Sequence, residues 1–399
     1  MSTSPTFTID RQTLAILLST VSKFAGRTTP YDLVDLHFEK GRLFASCFNG
    51  EAGIKAIVAA QANAEEAPAT TFGVNVALLT QLVATMEGNI KMGVKDNKVE
   101  VKAGKASSKL NAVLNASLPA VETGNMQAVA TLSGEALLSA LNALEFASTD
   151  AARPNLSALL LEFDKDTAQI HGWTADGFAA AHAVARANEL KESCSLLLSN
   201  SSRFVSSLAS MISKEDTIQI MATPDKGRVT FGIKEAKARR AMMISTPTME
   251  NTFPLDAVKQ MLAAREETAS ATLEPKAVLV CVKQVEIMGT NTAHLFTKNS
   301  EIHIESARAK EDVGTARNVI RTGNLKGEFD LNLNVTYLGK VASVVGDGVV
   351  NYSCSGPAKP VFFTGASFEA VLMPILVETK ASKAEEPVQQ EKVVEPVNA

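Results

Sequence analysis

The sequence predicts an α+β protein made of three tandem, similar domains, each built from two copies of a strand, a helix and antiparallel strands. Three observations lead to this prediction: the chain length, a strand-cap-helix pattern that occurs three times, and hairpins that follow it at the same place each time. A chain of 399 residues has room for two or three domains of about 150 residues. We place the domains at residues 1–125, 126–265 and 266–378, followed by a disordered tail at 379–399.

Each predicted domain begins with a strand that leads directly into an apolar helix. Thr8, Thr131 and Thr272 occupy equivalent positions in the three starts, about 120 to 140 residues apart, which is the spacing of domains rather than of solenoid repeats. One-sided apolar stripes predict the helices. The stripes are Leu14, Leu17, Leu18 and Val21 in the first domain, Leu137, Leu138, Leu141 and Leu144 in the second, and Val278, Val282 and Val285 in the third.

A second helix in each domain is predicted behind an asparagine that can accept hydrogen bonds from free helix N–H groups. The three caps are Asn75, Asn200 and Asn334. Turn residues such as Lys40-Gly41 and Asp96-Asn97 interrupt alternating segments and therefore predict hairpins. Segments of small and polar residues at 120–127 and 262–270 are expected to be the linkers between domains.

Charge and composition exclude several classes of protein. With 39 Lys and Arg against 43 Asp and Glu, the net charge of −4 excludes a protein that binds nucleic acid over its whole surface. The four cysteines form no CxxC pair and have no histidine at ligand spacing, so we expect neither disulfides nor a metal site. The sequence shows neither a signal peptide nor an apolar run of about 18 residues, and we expect a cytoplasmic protein without membrane contact.

The motifs of common enzymes are missing from the sequence, so we expect a non-catalytic protein that needs no cofactor. The five histidines occur at no HExxH spacing, and neither a GxSxG elbow nor a phosphate-binding glycine loop is present. Asp176 precedes Gly177, and we interpret this pair as a tight turn rather than as the site of a catalytic carboxylate.

Six short motifs occur in order along the three predicted domains. They are Gly26-Arg27-Thr28-Thr29-Pro30, His171-Gly172-Trp173-Thr174-Ala175-Asp176-Gly177-Phe178, Phe253-Pro254, Phe329-Asp330-Leu331-Asn332-Leu333-Asn334-Val335-Thr336-Tyr337-Leu338, Lys359-Pro360-Val361-Phe362-Phe363 and Val371-Leu372-Met373-Pro374-Ile375. With these motifs the chain resembles the bacterial DNA sliding clamp, the beta subunit of DNA polymerase III. The resemblance implies a head-to-tail homodimeric ring, with helices inside and sheets outside, that encircles double-stranded DNA without reading its sequence.

The resemblance also implies the function of a processivity factor in DNA replication. Such a clamp is a non-catalytic accessory subunit of the polymerase holoenzyme, which tethers the replicative DNA polymerase and other proteins with clamp-binding motifs after a clamp loader has placed it on DNA. Two alternatives remain open. The chain could be an enzyme or ligand-binding protein that uses the cleft between the second and third domains, or a clamp-like structural protein that no longer encircles DNA.

Three sets of site residues follow from the resemblance. The candidates for DNA binding are the basic residues Arg11, Lys23, Arg27, Arg203, Lys276, Lys283 and Lys340. A cleft for partner peptides is expected between the second and third domains, lined by Leu156, Ala175, Gly177, Phe178, Ala180, Pro254, Val258, Pro360, Val371 and Met373. The dimer interface is expected to join edge strands of the first and third domains, with the candidates Leu110, Ile287 and Met288.

Overall fold

The computed structural model describes residues 6–62, 70–114, 118, 121, 125–150, 152–199, 204–236, 240–250, 252–307, 314–346 and 348–376. Within these residues the protein consists of three successive units in which helices cover one face of antiparallel sheets, which confirms the predicted α+β class. The predicted tail at 379–399 and the predicted cap Asn200 lie outside the described residues. The domain boundaries stay predictions.

Both helices of the first unit begin behind a side-chain cap, Asp10 for the first helix and the predicted Asn75 for the second. Its strands are β1 (Thr6–Asp10), β2 (Leu33–Glu39), β3 (Arg42–Phe48), β4 (Gly53–Ala59), β5 (Gln61–Ala62), β6 (Thr70–Asn75), β7 (Asn89–Lys95), β8 (Lys98–Ala103), β9 (Ala106–Asn111) and β10 (Val113–Leu114), and its helices are α1 (Arg11–Val21) and α2 (Val76–Ala84). Asp10 Oδ2 accepts the backbone N–H of Thr13 at 2.9 Å, and Asn75 Oδ1 accepts that of Leu78 at 3.0 Å. These bonds satisfy N–H groups that have no partner within the helix.

The second unit contains a helix that the sequence analysis missed. Its strands are β11 (Gln127–Ser133), β12 (Ala158–Asp164), β13 (Gln169–Ala175), β14 (Ala179–Arg186), β15 (Glu189–Leu190), β16 (Cys194–Ser199), β17 (Thr217–Ala222), β18 (Arg228–Lys234) and β19 (Ala241–Pro247), and its helices are α3 (Gly134–Leu141), α4 (Phe204–Ala209) and α5 (Leu255–Ala263). Helix α5 has no side-chain cap, since Pro254 occupies that position, and it extends into the predicted linker at 262–270. The linker is therefore shorter than predicted.

The third unit repeats the same order of elements. Its strands are β20 (Ala269–Leu273), β21 (Thr292–Lys298), β22 (Glu301–Ala307), β23 (Arg317–Ile320), β24 (Thr322–Lys326), β25 (Asp330–Asn334), β26 (Val350–Cys354), β27 (Val361–Thr364) and β28 (Phe368–Leu372), and its helices are α6 (Pro275–Ile287) and α7 (Val335–Val345). Asn334 Oδ1 accepts the N–H of Thr336 at 2.9 Å, so both of the predicted asparagine caps that the structure describes, Asn75 and Asn334, are confirmed.

Two of the four sheets cross from one unit to the next. Strand β4 pairs with β19 in a ten-stranded sheet, and β14 pairs with β28 in a nine-stranded sheet. We call these two strand pairs the first seam and the second seam. The other two sheets stay within one unit: a five-stranded sheet of the first unit ends at β9, and a four-stranded sheet of the third unit ends at β23.

The main hydrophobic core lies between the helices and one face of the sheets. Leu14, Leu17 and Leu18 of α1 are fully buried there, as are Leu137 of α3 and Val285 of α6. The helices pack in pairs, α1 with α2, α3 with α4 and α6 with α7. The other face of the sheets is turned away from these six helices. In the described part of the chain, no helix has both the length and the apolar character needed to span a membrane.

Candidate partner-binding cleft and DNA-facing helices

A second hydrophobic cluster lies on the outer face of the nine-stranded sheet, opposite the main core. Along β12, Leu159 and Leu161 point into the main core, whereas Leu160 between them belongs to the second cluster. Helix α5 covers the cluster through Val258. We call this group the outer cluster, and its buried members are Ala158, Leu160, Trp173, Ala175, Ala180, Leu197, Phe253, Val258, Phe362 and Val371.

The outer cluster contains about half of the residues predicted for the cleft. Ala175 pairs with Ala180, and Ala180 pairs with Val371, so the three form a row of small side chains across the second seam. Val258 is buried above the sheet, and Leu156 packs at the edge of the cluster. All three residues of the row are buried, so the row forms the packed floor of this part of the outer cluster.

Two more predicted residues form an exposed rim beside this row. Phe178 is 62% exposed and Met373 is 41% exposed. The Met373 N–H donates a hydrogen bond of 2.8 Å to the carbonyl oxygen of Phe178. Pro360 directly precedes Val361, the residue that pairs with Leu372, so Pro360 lies at the same end of the sheet as Met373. The rim thus combines an aromatic ring, a flexible thioether and a proline.

The turn that presents Phe178 is held by Asp176. Its Oδ1 accepts the N–H groups of Phe178 and Ala179, both at 2.8 Å, and its Oδ2 accepts the hydroxyl of Tyr337 from α7. Gly177 adopts a positive φ of 94°, a conformation that favours glycine. The interpretation of Asp176-Gly177 as a turn is confirmed. The contribution of Tyr337 was missed, because the two residues are 161 positions apart in the sequence.

A chain of hydrogen bonds crosses the second seam next to the outer cluster. His171 Nδ1 lies 2.9 Å from His182 Nε2, and His182 Nδ1 lies 2.7 Å from Glu369 Oε1. The Trp173 ring stacks on His182 with a centroid distance of 3.6 Å. The hydrogen bond from His182 lowers the pKa of Glu369, whereas burial, with a smaller contribution from His182, lowers the pKa of His171.

Three basic side chains surround the outer cluster. Lys259 Nζ lies 3.2 Å from Glu162 Oε2 and 5.1 Å from the centroid of the Trp173 ring. Arg153 lies below the turn, where a Cβ at Gly177 would be 3.1 Å from its Nη1, and Arg265 donates to Thr364 Oγ1 at 3.0 Å. Arg153 and Arg265 also form ion pairs, with Asp150 and Glu267 at 3.3 Å each, so all three cations already have a carboxylate partner.

Two open cavities flank α5. The larger, of about 900 Å³, is lined by Leu160, Leu197, Phe253 and Pro254 among others. The smaller, of about 620 Å³, contains His171, His182 and Lys259 in its wall. Of the predicted cleft residues, only Pro254 lines either cavity, so Phe178 and Met373 form no part of their walls.

The predicted DNA-binding residues are distributed over the helices of the first and third units. Arg11 begins α1, Lys276 and Lys283 lie on α6, and Lys340 lies on α7. The Lys340 Nζ is 5.1 Å from the centroid of the Tyr337 ring. These four residues thus lie on the helices that cover the main core.

The remaining predicted DNA-binding residues lie outside the α-helices. Lys23 lies in the short 3-10 helix Ser22–Phe24 that follows α1, and it donates a hydrogen bond of 2.7 Å to Ser210 Oγ, which links the first unit to the second. Arg27 lies in the loop before β2 and is exposed. Arg203 precedes α4 and lies outside the described residues. The helix surface is only weakly basic, because α2 has no charged residue and exposes Leu78.

Of the predicted interface residues, only Leu110 lies on an edge strand, and the expectation that Ile287 and Met288 lie on one is wrong because both are at the end of a helix. Leu110 is on β9, the edge of the five-stranded sheet, and is partly buried against the main core. Ile287 ends α6 and is 73% exposed, and Met288 follows it as the C-cap residue.

The described residues contain neither a cluster of metal ligands nor a reactive thiol. No group of three or more His, Cys, Asp or Glu side chains there is arranged to hold a metal ion. The four cysteines are free thiols, and burial raises the pKa of Cys47 to about 12. A thiol with so high a pKa is unreactive at neutral pH.

Comparisons with solved structures show what this fold is similar to. The Helicobacter pylori beta clamp bound to a DNA ligase peptide is 16% identical, with a TM-score of 0.77 over 93% of this chain and 100% of that one. The beta chain of DNA polymerase III from Streptococcus pneumoniae is 14% identical, with a TM-score of 0.80 over 94% of this chain and 100% of that one.

A third structure agrees with these two. The DNA polymerase sliding clamp from Pseudomonas aeruginosa with ligand is 18% identical, with a TM-score of 0.78 over 94% of this chain and 100% of that one. No protein-family model matches the sequence, and no curated protein matches it. At this level of identity the comparisons establish the fold, and they establish it over nearly the whole chain: it is the three-unit fold of the bacterial DNA polymerase sliding clamps.

Proposed function

We propose that the chain is a DNA polymerase processivity factor, a ring-shaped sliding clamp that two copies form around duplex DNA in the bacterial cytoplasm. In this proposal it is a non-catalytic accessory subunit, placed on DNA by a clamp loader, that tethers the replicative polymerase and other partners. The three domains would be residues 1–125, 126–265 and 266–378. The solved sliding clamps with the same fold support this function.

The observation that carries the proposal is the pattern of the seams. Strand β4 of the first unit pairs with β19, the last strand of the second unit. In the same way, β14 of the second unit pairs with β28, the last strand of the third unit. The strand equivalent to β4 and β14 in the third unit is β23. In the first unit the strand equivalent to β19 and β28 is β9, since the two-residue β10 that follows it pairs with β6 in another sheet. Both β23 and β9 are edge strands at opposite ends of the chain.

A second copy of the chain would supply a pairing strand for each of these two edge strands. Pairing β23 of one copy with β9 of the other would join a four-stranded and a five-stranded sheet into nine strands, the number already present across the second seam. Two such head-to-tail junctions close a ring, in which neither β9 nor β23 is left as an open edge. The exposed Ile287 and the edge residue Leu110 support this assignment of the interface.

The ring retains DNA by its topology, so strong contacts with DNA are not required. Helices α1, α2, α3, α4, α6 and α7 would line the pore, with Arg11, Lys276, Lys283 and Lys340 as contacts to phosphates. Few and weak phosphate contacts allow the ring to slide. The absence of basic residues from α2 and α3 is compatible with that mode of binding.

The partner cleft of this clamp would be the groove between the Phe178–Met373 rim and the outer cluster. Its apolar floor, exposed rim and surrounding arginine and lysine side chains support binding of a short peptide. A solved clamp of the same fold holds a DNA ligase peptide, which supports a peptide as the kind of ligand.

Retention on circular DNA tests the proposal. The protein is loaded onto nicked circular plasmid with a bacterial clamp loader and ATP, and the complex is isolated by gel filtration before and after linearisation. We expect the protein to remain on circles and to slide off the linear form. Equal retention on both forms, or none on circles, would favour the alternative of a clamp-like structural or ligand-binding protein that does not encircle DNA.

A further inference from the structure

The outer face of the first unit's five-stranded sheet carries a dense group of lysines, in a chain whose net charge is −4. We call this group the lysine face, and its members are Lys91 and Lys95 on β7, Lys98 and Lys102 on β8, Lys105 in the turn that follows, and Lys109 on β9. The residues that alternate with them, Ile90, Met92, Val99 and Val101, are fully buried in the main core. The lysines therefore point away from the core and from the helices.

Like charges face one another directly on this surface. Lys91 is paired with Lys102, and Lys95 is paired with Lys98, in the register of the β7–β8 hairpin. Side chains in such positions have Cβ atoms about 5 Å apart, and like charges there destabilise a sheet. An anion bound between the lysines would relieve this repulsion. Two adjacent lysine pairs are therefore expected on a surface that binds an anion, since they do not stabilise the hairpin itself.

Acidic side chains do not neutralise the lysine face. Glu100 lies at its centre and forms an ion pair of 2.7 Å with Lys102. Among the residues that the structure describes, the other five lysines form no ion pair. Hydrogen bonding from Lys102 lowers the pKa of Glu100, and charge from Lys102 and Lys109 adds to this effect. Glu100 is therefore ionised at neutral pH and offsets one lysine charge, which leaves the other five lysines of the face without an ion pair among the described residues.

The chemistry of the face matches a phosphate backbone. Thr8 lies next to Lys91, Ser107 next to Lys102 and Asn111 next to Lys98, so neutral hydrogen-bond donors accompany the ammonium groups. This combination is typical of contacts to nucleic-acid phosphates. No aromatic side chain belongs to the outward-facing described residues of these strands, so the stacking platform that single strands require is missing there.

We propose that the lysine face binds the backbone of duplex DNA outside the ring, independently of sequence. This site lies on the opposite side of the sheet from the helices, so it is separate from the pore contacts and does not depend on encirclement. Closing the ring through β9 would leave most of it exposed. Of the lysines on strands, only Lys109 lies on β9. Lys98 and Lys102 lie on β8, about 5 Å from β9, and Lys91 and Lys95 lie on β7, about 10 Å from β9.

Binding to a covalently closed duplex circle, with no clamp loader present, tests this site. A closed ring cannot thread such a circle, so fluorescence anisotropy of a labelled circle reports contacts outside the pore. We expect the wild-type chain to bind with a slope of log K against log salt of about −4, as four phosphate contacts predict. Replacing Lys91, Lys95, Lys98 and Lys102 together by Gln should weaken binding by at least about tenfold and bring the slope close to zero.

Two control variants separate this site from other sources of binding. Replacing Lys165, Lys298, Lys326 and Lys359 by Gln removes the same charge from exposed positions of the other units and should leave binding unchanged. Replacing Lys276, Lys283 and Lys340 by Gln should also leave it unchanged, because these residues lie on the helices. If this helix variant no longer bound the circle, the site would be assigned to the helices and the proposal would be overturned.

Two further outcomes would also overturn it. The first is a lysine-face variant that binds the circle as tightly as wild type. The second is a wild-type chain that binds a polyglutamate peptide but not the circle, which would assign the face to an acidic protein segment. Since no step of this experiment requires loading or dimer formation, its result is independent of the retention test for the clamp function.

Discussion

Phe178 and Met373 are tied together at the end of the second seam, where the Met373 N–H donates to the Phe178 carbonyl at 2.8 Å while both side chains remain exposed. Their backbones are therefore fixed relative to each other, although one belongs to the second unit and the other to the third. Exposed aromatic and thioether side chains on a rigid frame are typical anchors for a peptide ligand. The position of this pair next to the row of Ala175, Ala180 and Val371 makes the groove the best candidate for partner binding.

Replacing Phe178 and Met373 by Ala should weaken binding of a polymerase-derived clamp-binding peptide by at least about tenfold, since residues of this kind often contribute more than about 1 kcal/mol each. Fluorescence anisotropy of the labelled peptide measures the change. The control is Val349→Ala, which truncates a 56% exposed apolar residue outside the groove and should bind normally. Unchanged binding in the double variant would show that the peptide site is elsewhere.

Replacing Lys276, Lys283 and Lys340 by Glu should shorten the lifetime of the loaded clamp on circular DNA and flatten its salt dependence. The physical reason is that the salt slope falls by about one unit for each lysine that no longer neutralises a phosphate. Retention on nicked plasmid is measured at several salt concentrations. A variant in which Lys165, Lys298 and Lys359 are replaced by Glu is the matched control, and equal lifetimes for both variants would remove the helix lysines from the pore.

Asp35→Asn should stabilise the protein at pH 8 by about 1 kcal/mol after allowance for solvent screening of a half-buried group. Burial raises the pKa of Asp35 from 3.8 to about 6 despite the nearby Lys55, and its Oδ1 has no hydrogen-bond partner among the described residues. Because the folded-state pKa is raised, ionisation destabilises the fold as the pH rises from about 4 through 6. Urea unfolding at pH 8 and pH 4 measures this, and a gain of the same size at both values would contradict it.

Acidification should destabilise the chain through His171. Burial lowers its pKa below the ordinary 6.5, so the unfolded chain takes up a proton more readily than the folded one, and stability falls once the pH drops below about 6.5. The expected decrease between pH 7.5 and pH 5.5 is less than about 1 kcal/mol because the ring is half-exposed. His171→Gln should reduce this decrease in thermal unfolding, and an unchanged pH dependence would exclude His171 as its source.

Glu369 causes a second decrease in stability at lower pH. Its pKa is lowered by the hydrogen bond from His182, so its stabilising effect is present above the ordinary value of 4.5 and disappears as the pH falls below it. Glu369→Gln should therefore reduce stability at pH 7 more than at pH 4. Thermal unfolding at these two pH values measures the difference, and an equal reduction at both would contradict the stabilising role of this carboxylate.

The helices and hairpins of the repeat could be predicted because their signals are local. Leu14, Leu17 and Leu18 repeat with the helical period, and Asp10 caps the helix that they define, so the stripe and the cap indicate the same element. The Lys40-Gly41 turn likewise joins two alternating strands, and the structure pairs Glu39 with Arg42 at this turn. Signals of this kind need no knowledge of distant residues.

Helix α5 and the outer cluster could not be predicted in the same way. Pro254 provides no side-chain cap for α5, and Val258 is its only fully buried residue, so the segment carries neither a cap nor a clear stripe. Trp173 and Phe362 are buried on the sheet face opposite the main core. Their burial depends on the helix that covers this face and not on the strands themselves. Periodicity identifies strands but does not show that both faces are covered.

Some contacts of the candidate site follow from local sequence signals, whereas others depend on long-range packing and could not be predicted. Ala175, Ala180 and Val371 are brought together by strand register, which the order of the motifs anticipates. The hydrogen bond between Asp176 and Tyr337 and the chain from His171 to Glu369 depend on the exact packing of two units. Such long-range contacts leave no pattern in the local sequence.

The mass of the chain in solution tests the central claim, that β9 and β23 of two copies close a ring. Multi-angle light scattering should give about twice 42.3 kDa for the wild-type protein. Ile287→Lys, at a 73% exposed position, should shift the mass toward 42.3 kDa, whereas the control Val280→Lys on the same helix should keep the dimer. A wild-type mass of 42.3 kDa at micromolar concentration would contradict the ring.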